Sequence, residues 1–218
     1  YRHDGQMNFQ DVTFQAGLGP ATLPFVGWGT FFFDFDNDGW LDLFVANGHV
    51  YPQVDQLPGR TRYREPSLLF RNAGNGRFEE LPANFLPVRP AVSRGAVWGD
   101  LDNDGALDLI ITNLDESPTL LWNRVKPRRN FLNLTLKGTK STRDAFGARV
   151  RLRTGTQWQL REVQSGGSYL SNPDPRLHFG LGDAAQVDEI EIRWPSGAVS
   201  VLRDVSANQF LTVREPDL

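Results

Sequence analysis

The 218-residue sequence predicts an all-β fold in two units, a pair of repeated multi-strand units followed by an antiparallel β-sandwich. Three observations predict it. Gly and Pro are abundant (21 and 14), Met occurs once, and no long segment places its apolar residues at helical spacing. Short apolar runs are instead punctuated by Gly, Pro, Asn and Asp, as in chains of short strands. Finally, DFDNDGWLD at 34–42 returns as DLDNDGALD at 100–108, 66 positions later, so the first unit is a repeat.

Residues 7–18 (MNFQDVTFQAGL) resemble the close of a repeat, because Phe9 aligns with Phe78 at a spacing near that of the aspartate loops. The first full repeat then reads as four strands. Residues 26–34 enter the first loop, 40–46 leave it, 67–72 (SLLFRN) form the third strand, and 77–81 follow the turn Ala73-Gly74-Asn75-Gly76. In the second repeat 96–100 enter the loop, 106–112 leave it, and 119–123 (TLLWN) match SLLFRN. No fourth strand follows, and the N-terminal MNFQDVTF is the candidate to fill that place. Lys126, Arg128 and Arg129 read as a solvated linker, too short a basic run for nucleic acid.

The repeats differ between their second and third strands. The first carries a long excursion, 48–66, with His49, Tyr51, Arg60, Arg62, Tyr63 and Arg64. Long loops in compact β domains are often functional, and aromatics and arginines favour binding surfaces. The alternative is a structural excursion packed on a neighbouring blade. From Phe131 onward the loops stop, and 131–138, 148–154, 157–163, 176–182, 189–194 and 209–215 mostly alternate apolar and polar residues, which marks strands with one buried face. The boundary falls between 127 and 128.

Chemistry concentrates in the aspartate loops. Asp34, Asp36, Asp38 and Asp42 occupy positions 1, 3, 5 and 9 of a nine-residue loop with Gly39 at position 6, and Asp100, Asp102, Asp104, Asp108 and Gly105 repeat the arrangement. Alternating carboxylates converge on one centre, the glycine permits the sharp turn, and the carbonyls of Trp40 and Ala106 at position 7 would complete the shell. An all-oxygen donor set favours Ca²⁺ over zinc or copper, one ion per loop. An EF-hand is excluded, since position 12 is Val45 or Ile111 rather than Glu and the flanks are strand-like. Without a cation, four clustered carboxylates repel one another. Two bound divalent ions would move the net charge from −3 to +1.

These residues carry a resemblance. FFFDFDNDGWLDLFVANG with SLLFRNAGNGRFEEL resembles the FG-GAP or VCBS type of calcium-binding propeller repeat. NLTLKGTKSTRDAFGARVRL, VQSGGSYLSNPDPRLHFGLG and VDEIEIRWPSG resemble the ASPIC/UnbV domain, and together the segments are similar to the C-terminal part of the cartilage acidic protein family. The resemblance implies a partial β-propeller at 1–127 and an ASPIC/UnbV-like sandwich at 128–218. It implies an extracytoplasmic location (secreted, periplasmic or cell surface) and, as ligands, the eight aspartates above. Two blades cannot close a ring, so the chain is expected to be part of a longer protein or of a multi-protein assembly. It has no initiator Met, in keeping with a mature form or a fragment.

Other readings weaken. The absence of Cys excludes disulfides and thiolate sites, and no apolar run is long enough to span a membrane. The histidines are His3, His49 and His178, the last in an alternating strand where packing or solvent exposure is expected. QSGGSYLS (164–171) is not a nucleophile elbow; Gly166 and Gly167 read as a tight turn. Trp28 and Trp98, each followed by Gly ahead of a loop, read as repeated core positions. The expectation is a non-enzymatic calcium-binding module with a protein or glycan partner, no nucleic acid, and function carried by what differs between the repeats. The alternative is a carbohydrate-active enzyme or its accessory domain, which would require an acid/base pair outside the loops.

Overall fold

The computed structural model describes residues 1–59 and 61–217. Arg60 of the long excursion lies outside the described residues. A short hairpin of β1 (Arg2–His3) and β2 (Phe9–Gln10) is followed by a single helical turn, Gly19–Thr22. The first blade comprises β3 (Gly27–Phe33), β4 (Asp42–Asn47), β5 (Leu68–Asn72) and β6 (Phe78–Glu80), paired antiparallel in that order. The second comprises β7 (Ser93–Gly99), β8 (Asp108–Asn113) and β9 (Glu116–Leu121), also antiparallel. The sheets do not close into a ring, as expected of a partial propeller.

The blades pack face to face. Phe31, Phe33, Phe44 and Leu69 of the first meet Ala96, Leu107, Leu109 and Ile111 of the second in one core. The run leaving the first loop is apolar on both faces because β4 is buried on both. Phe44 and Ala46 point into the interblade core, while Leu43 and Val45 join Leu68 and Phe70 in a second cluster on the outer face.

That outer cluster explains one departure from expectation. The N-terminal segment does not complete the second blade, which stays three-stranded among the described residues. Phe9 instead pairs with His3 in the exposed hairpin, and the residues that follow, Leu18, Ala21 and Phe25, cover the outer face of the first blade, where the Phe78 N–H donates to the Ala16 carbonyl at 2.8 Å. The apolar face of β4 and β5 attracts 18–25 and so holds the chain start at the first blade, whereas similarity between Phe9 and Phe78 as letters carries no such force.

Register corrects the tryptophans. Phe33 opposite Asp42 and Gly99 opposite Asp108 align the blades. Trp98 therefore corresponds to Phe32, and Trp28 to Arg94. Trp98 packs on the interblade core, but Trp28 does not: its indole N–H donates to the Gly48 carbonyl at 2.8 Å and its ring lies 4.4 Å below the Arg94 guanidinium. The excursion is anchored at its far end, where Glu65 pairs with Ala91, accepts the Val26 N–H at 2.9 Å, and is flanked by an Arg64–Glu116 ion pair. Its middle holds a 3-10 turn, Pro52–Gln56, with Tyr51 exposed.

The second unit is a sandwich. Strands β10 (Asn130–Lys137), β11 (Arg149–Thr154), β12 (Gln157–Glu162), β13 (Leu177–Gly182), β14 (Gln186–Arg193), β15 (Val199–Ser206) and β16 (Gln209–Arg214) form two sheets, β13-β10-β16 and β12-β11-β14-β15. Leu132, Leu134, Leu152, Phe179, Ile190 and Ile192 fill the space between them. All pairs are antiparallel except β10 with β16, which run parallel. Glu215, just beyond β16, secures that pair. Its carboxylate accepts the N–H groups of Thr139, Lys140 and Ser141 at 2.7–3.0 Å and the hydroxyls of Ser141 and Ser196.

Candidate metal centres

Each aspartate loop joins the first two strands of its blade. Gly39 and Gly105 adopt φ of +88° and +84°, and Asn37 and Asn103 φ of +57° and +56°. The left-handed pair turns the chain back over Asp34 and Asp100. The loops share one internal network. Asp34 accepts the N–H groups of Asp38 and Gly39 at 3.0 and 2.8 Å, and Asp100 those of Asp104 and Gly105 at 3.0 Å each. Asp42 accepts from Phe35 and Asn72 at 3.1 and 2.8 Å, and Asp108 from Leu101 and Asn123 at 3.1 and 2.8 Å.

Oxygens of Asp34, Asp36 and Asp42 lie within 4.8 Å of one another, as do those of Asp100, Asp102 and Asp108, so each group could hold a metal ion. Asp38 and Asp104 stand outside these groups. Their carboxylates accept the N–H groups of Trp40 and Ala106 at 2.9 and 3.0 Å and turn toward arginines. The donor set is oxygen throughout, and its buried members resist ionisation. Burial, with the neighbouring aspartates, pushes Asp34 up to about 7 against the Gly39 hydrogen bond. Burial and the charge of Asp34 push Asp42 up to about 8 against the Asn72 hydrogen bond. Asp100 and Asp108 are raised for the same first reason, burial. Crowded, desolvated carboxyls of this kind suit a hard divalent cation.

Two arginines flank each loop. Arg129 pairs with Asp36 at 2.9 Å, and Arg71 lies 3.5 Å from it. Arg124 spans Asp102 and Asp104 at 3.1 and 3.0 Å, and Arg128 reaches Asp104 at 2.6 Å. The linker arginines are thus not merely solvated; their short tether to β10 delivers one to each loop.

The sandwich docks on the loops. Asn37 Nδ2 donates to the Gly105 carbonyl of the other loop at 2.8 Å, which leaves Oδ1 to accept from His178 Nε2–H at 2.7 Å. His178 is 3% exposed, and burial beside Arg161 and Arg176 pulls it down to about 3, so it is neutral. Gly182 N–H donates to the Asn37 carbonyl at 2.8 Å, and Gln157 to the Gly39 carbonyl at 3.3 Å. At the second loop Arg176 donates to Asn103 Oδ1 at 2.6 Å and to the Asp100 carbonyl at 2.7 Å. Gly180 lies so close that a Cβ there would sit 2.1 Å from Asp34 Oδ2.

A second contact uses the QSGGSYLS segment. Ser168 Oγ accepts the Thr30 N–H at 2.7 Å, and Ser171 Oγ accepts that of Ala96 at 3.1 Å. Thr30 and Ala96 are equivalent residues just past the register shifts in β3 and β7. Gly166 and Gly167 do not have positive φ, so docking rather than a glycine-dependent turn accounts for the segment.

Sequence reasoning missed Asn72 and Asn123, which brace Asp42 and Asp108. Both third-strand motifs end in Asn, and that was the available signal. It also missed Asn37 and Asn103, although Asn at position 4 is common to both loops, and it missed their partners His178 and Arg176.

Loops of this composition between the first two strands of successive blades, joined to a sandwich, define a class. Residues 34–111 match the FG-GAP-like repeat and residues 138–218 match the ASPIC and UnbV family. The chain is homologous to cartilage acidic protein 1. It is 29% identical to the Mus musculus protein over 221 residues (97% of this chain, 31% of the relative) and 31% identical to the Homo sapiens protein over 192 residues (84% and 27%). The Xenopus tropicalis protein is 27% identical over 202 residues (90% and 29%). The chain thus spans about a third of the length of these relatives. Among the described residues no helix is long and apolar enough to cross a membrane.

Proposed function

We propose that the chain is a non-enzymatic, extracytoplasmic calcium-binding module, secreted, periplasmic or at the cell surface. Its two units, 1–127 and 128–218, are held in fixed orientation by two Ca²⁺ sites and together present a surface to a protein or glycan partner within a larger assembly. The first ion takes Asp34, Asp36, Asp38, Asp42 and the Trp40 carbonyl; the second takes Asp100, Asp102, Asp104, Asp108 and the Ala106 carbonyl. The observation that carries the reading is the convergence of three carboxylates per loop, two of them buried, in equivalent positions of two repeats.

When bound, calcium supplies the charge that lets these carboxyls ionise without mutual repulsion. Asp38 and Asp104 join by rotating away from the flanking arginines. Asn37, His178 and Arg176 keep the sandwich seated on the loop backbones. Homology to cartilage acidic proteins and the match to two non-enzymatic domain families support an interaction role. The exposed Tyr51 region of the 48–66 excursion is the proposed partner-facing surface, since its base is anchored while its middle faces solvent.

Isothermal titration with Ca²⁺ tests the reading. Two equivalents should bind, Asp108→Asn should leave one, and equimolar Mg²⁺ should compete poorly. An absence of calcium heat, or two sites surviving in the variant, would refute the ligand assignment.

A further inference from the structure

A cavity of about 530 Å³ lies between the inner strands of the blades and the β12–β13 side of the sandwich. Its volume is in the range that encloses a small organic ligand. The blade side is lined by β3 and β7, Trp98 among their residues, and the sandwich side by Arg161, Gln164 and Ser168.

Arg161 is the unusual member. It is partly buried, its guanidinium donates to the Leu160 carbonyl at 3.0 Å and to Gln159 Oε1 at 3.1 Å, and it lies 5.3 Å from the Phe179 ring centre. Both hydrogen-bond partners are neutral. Among the described residues no carboxylate oxygen lies within the 4.0 Å of an ion pair with it. The other acids of the wall are engaged: Glu162 pairs with Arg149 at 2.8 Å, Asp174 with Arg176 at 2.6 Å, and Asp34 with the first loop. The counter-charge that acts on Arg161 is Asp34, which the first loop engages and which makes no ion pair with it. A buried cation so weakly balanced is unfavourable, so an anion entering the cavity meets a pre-placed donor.

The blade supplies a second donor. Thr30 directs its N–H and C=O away from β4 to the Ser168 hydroxyl. Alternation along an antiparallel strand turns the Phe32 N–H and C=O to that same side, where Phe32 lines the cavity. We propose that the cavity is a binding site for a small organic carboxylate, its acid group held by Arg161 and its apolar body against the inner strands β3 and β7 and Trp98.

The inference rests on the first loop as a cation site, because that assignment commits the Asp34 charge elsewhere. The test uses the 218-residue chain in excess calcium, titrated with phenylacetate and hexanoate and with their neutral amides. At least one acid should bind roughly ten-fold or more tightly than its amide, the factor of one charge-assisted hydrogen bond. Arg161→Gln should erase that preference, and Arg161→Lys should retain part of it. Gln164→Trp, an exposed wall position outside β12, should weaken binding and carries the test if the Arg161 variants fail to fold. No binding of either acid, equal binding of acid and amide, or a preference that survives Arg161→Gln would overturn the proposal. A calcium titration of the same samples separates its failure from failure of the metal reading.

Discussion

Removing calcium should lower the melting temperature by an amount that grows with pH. Extracellular calcium modules bind with Kd of about 10⁻⁴–10⁻³ M. At roughly 100-fold excess over Kd each site adds about 2.7 kcal/mol, so two sites add about 5 kcal/mol. For a chain of this length that corresponds to a rise of about 10–20 °C. The pH dependence follows from Asp34 and Asp42, held at about 7 and about 8 when no cation is present. Both stand above the ordinary carboxylate value of 3.8. The metal-free fold therefore keeps its full stability below the unfolded value and loses it as pH rises through 7 to 8. Ionising Asp34 in the buried site opposes folding by an amount on the order of 4 kcal/mol, each unit being 1.36 kcal/mol. Calcium displaces those protons, so its apparent affinity rises over the same window. Thermal melts with Ca²⁺ or with chelator, at about pH 5.5 and about pH 8.5, should show a small difference at the acid end and the full one at the alkaline end. An unchanged midpoint on chelation would refute the loops as cation sites. A difference independent of pH would refute the buried, proton-holding state of Asp34 and Asp42.

Three further outcomes follow from particular contacts. Asn37→Ala removes donors and acceptors for the Gly105 carbonyl, His178 and the loop turn, so urea unfolding should register a loss of about 2–4 kcal/mol. Gly180→Ala sets a methyl 2.1 Å from Asp34 Oδ2 and 2.5 Å from the Asn37 Cα, so titration should show the first calcium site weakened and the second intact. Glu215 is held at about 2: burial would raise it, but the Ser196 hydroxyl, the Ser141 N–H and hydroxyl and the Thr139 N–H outweigh that effect. Its contribution is present above the ordinary value of 4.5 and fades as pH falls toward 2, so Glu215→Gln should flatten acid unfolding across that window, as read by circular dichroism.

What the sequence made legible was local. The convergence of the aspartates at offsets 0, 2 and 8 is visible because one turn fixes their relation, and the strands around them appear as short apolar runs for the same reason. β15 escaped because it is partly or wholly exposed at every position, leaving no alternation to detect. The contacts joining the units were invisible for a different reason. Asn37 and His178 are 141 positions apart, Thr30 and Ser168 138, and no periodicity connects them. Arg128 and Arg129 read as linker charges because only the folded chain shows that β10 begins beside the loops. Aligning Phe9 with Phe78 misplaced the N-terminal segment for the converse reason: letters matched, while the unpaid apolar face lay elsewhere, on β4 and β5.

The two loops share their aspartate pattern yet occupy different environments, and this changes what each can do. In the first loop Asp36 and Asp38 are partly buried, and the sandwich reaches the loop through Gly182 and Gln157 on its backbone and His178 on the Asn37 side chain. In the second, Asp102 and Asp104 remain accessible, and Arg124 and Arg128 pair with them. Sequence alone assigns each loop to its own blade as an internal clip. The structure adds a second task, because the residue at position 4 of each loop is the point where the other unit attaches. A loop that collapses when its carboxylates repel would carry Asn37 and Asn103 with it and release His178 and Arg176 together. The orientation of the sandwich on the blades, and with it the cavity between them, is thereby tied to the loops as well as to the Ser168 and Ser171 contacts.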